Sequence, residues 1–371
     1  MRTEIITRQR NVMLKNGLDA LVAISPENFA YTVGFVVPSQ PLMRWRHAMA
    51  VVTANGETVL VIVDMEETTV RERAPGTRFR VWGEFTDNPM QTLGDLLKEL
   101  GLASSKIGIE FDYLPAGDFE DLKRRLPKAL FLPAQGLYSQ LRQLKTAQEL
   151  ELLRRLSHIA DGAIGDAFRS VRSGMTEMDL AAALTRNVYA LGAEQFKLMI
   201  IATGERSQLP NVGPTDRMLE LGDVCRVEVF CVINGYHAGV CRTAVVQRAH
   251  RKVQQIYQNL AECKFLILDM IRPGASTREI YDEFIKKFGE LGLPAISFVG
   301  HGIGLHLHEE PYLGKYSNSK LKAGMVLSIE PLVYRTNMGF GMQIKDMVTV
   351  TDKGCELLSD RTDTDNLFVI S

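Results

Sequence analysis

The dipeptide Asn234-Gly235 constrains this chain most. It lies between two β-rich arms spanning 224–247. Asn-Gly is the strongest short-range signal for a two-residue hairpin turn, because both turn positions need positive φ. A turn there sets the register without further choice: Phe230 pairs with Gly239, and Glu228 with Cys241. Side chains alternate across a strand, so Arg226, Glu228, Phe230, His237, Gly239, Cys241 and Thr243 share one face. From the hairpin alone, a half-exposed sheet with a solvated Glu228 is equally consistent.

The remaining punctuation organises the chain around that hairpin. A chain of 371 residues is long for one core and suggests two domains. An amphipathic helix over 3–16 ends at Gly17, and Asn55-Gly56 marks a hairpin between β-runs at 48–53 and 58–63. With a further β-run at 20–24, helical patterns at 65–73, 88–100 and 116–125, and strand-like runs at 78–82, 107–110 and 129–132, residues 1–135 read as a mixed α/β domain. Residues 136–145 read as a linker, and 146–371 as a second domain. There, Thr146 with Glu149 forms a capping-box pattern. Helices near 147–165 and 177–191 precede strands at 197–203 and 224–247. Helices at 250–271 and 277–291 then precede strands at 325–334, 340–350 and 355–358. The order, helices then hairpins, occurs twice.

Three segments carry chemistry. Gly300 to Glu309, GHGIGLHLHE, concentrates His301, His306 and His308 among three glycines. Imidazole binds metals and moves protons near pH 7, and glycine permits positive φ or close approach. Leu327 to Pro331 is a β-run holding Glu330, a carboxylate that needs a partner if buried. Gly341 to Val348 alternates so that Gln343, Lys345 and Met347 share one face.

Composition narrows the function classes. A net charge of −1 gives no electrostatic case for nucleic acid or an anionic membrane. Apolar runs fall short of the ~18 residues a spanning helix needs, and the N-terminus lacks a signal-peptide core. Five cysteines without metal-ligand spacing suit a reduced, cytoplasmic setting.

In this order GHGIGLHLHE, Ser328 to Pro331 (SIEP), Asn234 to Thr243 (NGYHAGVCRT) and Gly341 to Asp346 (GMQIKD), with Leu209 to Asp223 before them, resemble the creatinase/aminopeptidase P/prolidase family, M24-like. Ser25 to Phe35 and Leu141 to Arg155 fit its N-terminal domain and linker. The resemblance implies an α/β (α+β) protein with a creatinase-like N-terminal domain and a pita-bread domain, a curved antiparallel sheet covered by helices. It also implies a homodimer.

Peptidases of that family hold two metal ions with two Asp, one His and two Glu. Carried over, those positions are Glu228, Gly239, His301, Glu330 and Lys345. Gly239 offers no ligand, and the Lys345 ammonium repels cations. The expectation is therefore no metal and no cofactor. Creatinase, which hydrolyses a C–N bond without metal, is the precedent, although Asn211 stands where its catalytic histidine lies and Cys241 where it has Glu. The favoured reading is a metal-independent hydrolase of a small or peptide-like molecule. Its catalytic set is Glu330, Glu228, His301, His308 and Lys345, with His237, Cys241, Asn211 and Arg242 as substrate-binding candidates. The alternatives are an Xaa-Pro peptidase with one metal held by Glu228, His301 and Glu330, and a ligand-binding chain without turnover.

Overall fold

The computed structural model describes residues 2–371. The chain forms two compact units, Met1–Arg142 and Gln143–Ser371. In the first, β1 (Ala20–Ala23), β2 (Met49–Thr53), β3 (Thr58–Val63), β4 (Arg78–Trp82), β5 (Lys106–Ile109) and β6 (Leu130–Pro133) make one sheet in the order β4-β3-β2-β1-β5-β6. β2 and β3 pair antiparallel across the expected Asn-Gly turn, where Gly56 takes φ 93°. The parallel pairs β3–β4 and β5–β6 need crossovers. These run through α3 (Glu67–Arg73) and α5 (Ala116–Arg125), after α1 (Thr3–Asn16) and α2 (Pro26–Val33) and on either side of α4 (Pro89–Glu99). A further helix, α6 (Gln135–Gln143), leads to the second unit.

The second unit repeats one order of elements. First come α7 (Ala147–Ser170), α8 (Glu177–Ala190), β7 (Gln195–Thr203), β8 (Val224–Ile233) and β9 (Tyr236–Val246). Then come α9 (Arg251–Met270), α10 (Thr277–Glu290), β10 (Phe298–Gly302), β11 (Glu309–Gly314) and β12 (Val326–Ile329). Short strands complete it: β13 (Leu332–Val333), β14 (Met342–Gln343), β15 (Asp346–Val350), β16 (Cys355–Leu357) and β17 (Phe368–Ile370). The two main sheets run β17-β9-β8-β7 and β11-β10-β12-β15-β16. Capping boxes at Thr146/Glu149 and Thr176/Asp179 start α7 and α8, and the Ser276 hydroxyl accepts from Glu279 N to start α10.

The hairpin has the expected register, Phe230 opposite Gly239 and Glu228 opposite Cys241, with Asn234 and Gly235 at φ 52° and 80°. Both arms are buried along their whole length, which removes the solvated-sheet alternative.

Two expected long strands are each broken. The run 325–334 divides at Glu330-Pro331, where proline has no N–H to donate and its carbonyl instead accepts from Ile344 N at 3.0 Å. The run 340–350 divides at Ile344-Lys345. Lys345 leaves that ladder to exchange hydrogen bonds with Cys241, at 3.2 and 3.1 Å, and so joins the two main sheets. None of Gly300, Gly302 and Gly304 takes positive φ. Gly300 and Gly302 are required by close approach: a Cβ on Gly300 would lie 2.8 Å from Ser328 O, and one on Gly302 would collide with the Glu310 backbone.

Candidate active site

The Lys345–Cys241 bridge decides the chemistry of the site. Cys241 stands directly opposite Glu228 in the hairpin, so the bridge places Lys345 beside Glu228 in the same row. The Lys345 ammonium lies 2.9 Å from Glu228 Oε1 and 3.1 Å from Glu330 Oε2. It also lies 4.5 Å from the centre of the Phe230 ring, within cation–π range. All three charged side chains are buried. Burial draws the Lys345 pKa down, but Glu228 and Glu330 outweigh it and hold the amine above its ordinary value. Burial likewise pulls Glu330 up, yet Lys345 and His301 keep its carboxyl well below the usual range.

On the other side, Glu330 Oε1 faces His301 Nε2 at 3.4 Å. Neither of these buried atoms has a hydrogen-bond partner. Gly302 O lies 2.8 Å from His301 Nδ1 and accepts from it, so Nε2 is the ring atom turned toward Glu330. The His308 ring stacks on His301 at 3.6 Å. Burial, His301 and Lys345 push the His308 pKa down to about 4, so it is neutral at pH 7.

These groups open on a cavity of about 450 Å³. Asn211, Glu228, His308, Glu330, Gln343 and Lys345 supply polar groups to its wall. Leu198, Ile200, Pro210, Phe230, Phe298, Leu332 and Tyr334 supply apolar surface.

Of the other residues singled out from sequence, His237, Cys241 and Arg242 are buried and lie outside the wall of this cavity. The His237 ring bonds Gly304 O at 3.1 Å beneath the histidine stretch. Burial and then Glu228 raise the Cys241 thiol, which makes it a poor nucleophile at neutral pH. Arg242 pairs with Asp161 at 2.9 Å and Asp346 at 2.8 Å, tying the hairpin to α7 and β15. Phe298, Tyr334 and the buried Arg226 were not picked out as site residues by their local sequence. Arg226 alone gave a signal, a cation in an apolar strand on the Glu228 face.

The donor set can be tested against metal. Two divalent cations do not fit. The Phe230 ring lies directly against Gly239, where a Cβ would collide with it, and Lys345 takes the lone pairs that Glu228 and one Glu330 oxygen would offer. One cation does fit: donor atoms of His301, His308 and Glu330 lie within 4.8 Å of one another. Two residues of this set, His301 and Glu330, also carry the buried Nε2 and Oε1 atoms that lack hydrogen-bond partners. It differs from the trio of the alternative reading, Glu228, His301 and Glu330, in having His308 where that trio has Glu228, which Lys345 engages.

The model of metallopeptidase family M24 matches residues 151–352, and that of the creatinase/prolidase N-terminal domain matches residues 6–144. The chain is 29% identical over 353 residues to an Xaa-Pro dipeptidase of Pyrococcus furiosus, covering 94% of this chain and 95% of that one. Its fold is similar to that of an Xaa-Pro dipeptidase from Bacillus anthracis (TM-score 0.86, 25% identity, 99% of both chains). It is also similar in fold to an X-Pro aminopeptidase from Thermotoga maritima (TM-score 0.86, 23% identity, 98% and 99% covered). The α/β class and the pita-bread architecture are those read from sequence. The metallopeptidase match and the Xaa-Pro dipeptidase relatives overturn the metal-independent, creatinase-like reading. The broader expectation, a family of hydrolases of C–N bonds, stands. No described helix is long and apolar enough to cross a membrane.

Proposed function

The chain belongs to metallopeptidase family M24, and from that premise we propose that it hydrolyses Xaa-Pro-type peptide bonds with a reduced site built for a single divalent cation. The observation that carries this reading is the buried pair His301 Nε2 and Glu330 Oε1, 3.4 Å apart and without hydrogen-bond partners, beside a neutral His308. Burying such atoms without partners is costly, and one cation would satisfy both.

His301, His308 and Glu330 would hold the cation. When bound, it supplies Lewis acidity at the scissile carbonyl. The chain's own residues supply the rest. The apolar wall of Ile200, Phe298, Leu332 and Tyr334 suits a proline ring and excludes water. Glu228 and Glu330 are the two carboxylates of the cavity wall. The Lys345 ammonium holds these two carboxylates apart and in place, as a fixed positive charge in the other half of the site. A homodimer and a cytoplasmic setting, for which all five cysteines being free is suitable, belong to the same proposal.

The test is proline release from Ala-Pro by protein first stripped with chelator and then titrated with Mn, Co or Zn ions, with calorimetry of the cation in parallel. The reading expects activity to return at one bound cation per chain. A chain that binds no cation and releases no proline defeats it. The ammonium seated between Glu228 and Glu330 favours a second reading, a peptide-binding chain without turnover. That reading requires saturable Ala-Pro binding with no release of proline under any cation.

A further inference from the structure

We propose that Arg226 and Gln343 are positioning residues: a buried relay that sets the orientation of the Glu330 carboxylate and ties it to the 207–210 segment, whose Pro210 lines the cavity. The Arg226 side chain is wholly buried, yet no acid lies within ion-pair distance of it among the described residues. A buried cation without a counter-charge needs other compensation. Backbone carbonyls and an aromatic face provide it. Nε donates to Ser207 O at 3.2 Å, Nη2 donates to Leu209 O and to Pro210 O (3.1 Å), and the guanidinium lies 5.2 Å from the centre of the Tyr334 ring.

The remaining bond links this clamp to Glu330. Arg226 Nη1 donates to Gln343 Oε1 at 3.3 Å. A guanidinium only donates, so the Gln343 amide must present its oxygen to Arg226 and its nitrogen to the other side. That nitrogen donates to Glu330 Oε2 at 3.1 Å. Oε2 therefore receives two donors, Gln343 and Lys345, and Oε1 is left turned to His301. The terminal torsion of a glutamate has broad minima, so without the amide only the single, rotatable Lys345 ammonium holds Oε2 and the carboxylate can turn. Pro210, whose carbonyl is clamped, and Asn211 after it line the cavity. One guanidinium thus fixes a cavity wall and, through one amide, the acid opposite it.

The kinetic test rests on the peptidase reading, and the structural test does not. In the full chain, Gln343→Met should lower kcat for Ala-Pro about tenfold or more while KM moves less than about threefold. Arg226→Lys, which keeps the charge but loses the fork, should lower kcat and raise KM together. The double variant should lose little more kcat than the worse single one, because both changes break one chain of contacts. Losses that multiply, or wild-type kcat in Gln343→Met, overturn the relay. Should the wild type release no proline, the peptidase reading fails alone, and the relay is read from a crystal structure of Gln343→Met. A Glu330 carboxylate turned from His301 supports it, and an unmoved one overturns it. Gln343→Met removes no charge, so the test survives if Arg226→Lys does not fold.

Discussion

The two halves of the cavity have been treated in opposite ways. On the hairpin side, Glu228 is matched to Lys345, the Phe230 ring lies against Gly239, and a cation–π contact takes up the ammonium's remaining exposure. That half is closed by charge and volume. On the histidine side, His301 Nε2 and Glu330 Oε1 face each other at 3.4 Å without a hydrogen bond, and His308 stacks close by. That half is open to a ligand with vacant orbitals. Glu330 belongs to both, with one oxygen on each side. The difference teaches that donors on one sheet can be matched and closed by charge and volume while those set on a second sheet are left facing the cavity.

The largest expected effect tests the shared residue. Glu330→Gln should reduce proline release about a thousandfold or more while leaving the circular dichroism spectrum intact. Activity near wild type would remove Glu330 from the chemistry. Next, Lys345→Met leaves two buried carboxylates facing each other and should destabilise the chain by about 3–5 kcal/mol in denaturant titration. It should also open the closed half, so manganese should raise the Tm of the variant more than that of the wild type. Equal shifts would mean that the ammonium does not exclude cations.

A third prediction concerns the support of the open half. Burial lowers the His237 pKa to about 4 in the folded chain, from 6.5 when unfolded. Between those values the unfolded chain binds the proton and the folded chain does not. Stability from this group is therefore complete above pH 6.5 and is lost as pH falls toward 4, at up to about 1.4 kcal/mol per pH unit. His237→Gln should flatten that part of the profile, and an unchanged slope would locate the acid sensitivity elsewhere. The smallest effect is expected at Gly239→Ala. Its Cβ meets the Phe230 ring, so urea melts should show a loss of about 1–3 kcal/mol. A neutral result would mean that Phe230 moves aside and the closed half is softer than its packing indicates.

Much of this was legible in local signals. Asn234-Gly235 dictated a turn, the turn dictated the register, and the register placed Glu228 opposite Cys241 as observed. Capping residues at Thr146 and Thr176 announced their helices. Motif order suggested the family, and the substitutions at Gly239 and Lys345 marked the degenerate site. From those two positions a site without any metal followed as the natural expectation. What that expectation lacked was the stack of His308 on His301 and the bare atoms beside it, since residues seven apart in a glycine-rich turn have no periodicity that brings their rings together. The broken strands at Pro331 and Lys345 escaped it as well, because alternation predicts a face but not which neighbour a strand leaves its ladder to meet.

The sequence by itself determined the hairpin register, the paired order of helices and sheets, and a glycine and a lysine where the resemblance implies metal-binding carboxylates, because turn chemistry, capping and side-chain type are local properties. The tertiary structure alone decided which oxygen of Glu330 is spent on Lys345 and which is left for His301. It also set Arg226, 117 residues from Gln343, to orient that carboxylate through an amide. Those outcomes depend on where two sheets meet in space, and hydrogen-bond direction at a buried carboxylate is fixed only when every donor around it is in place.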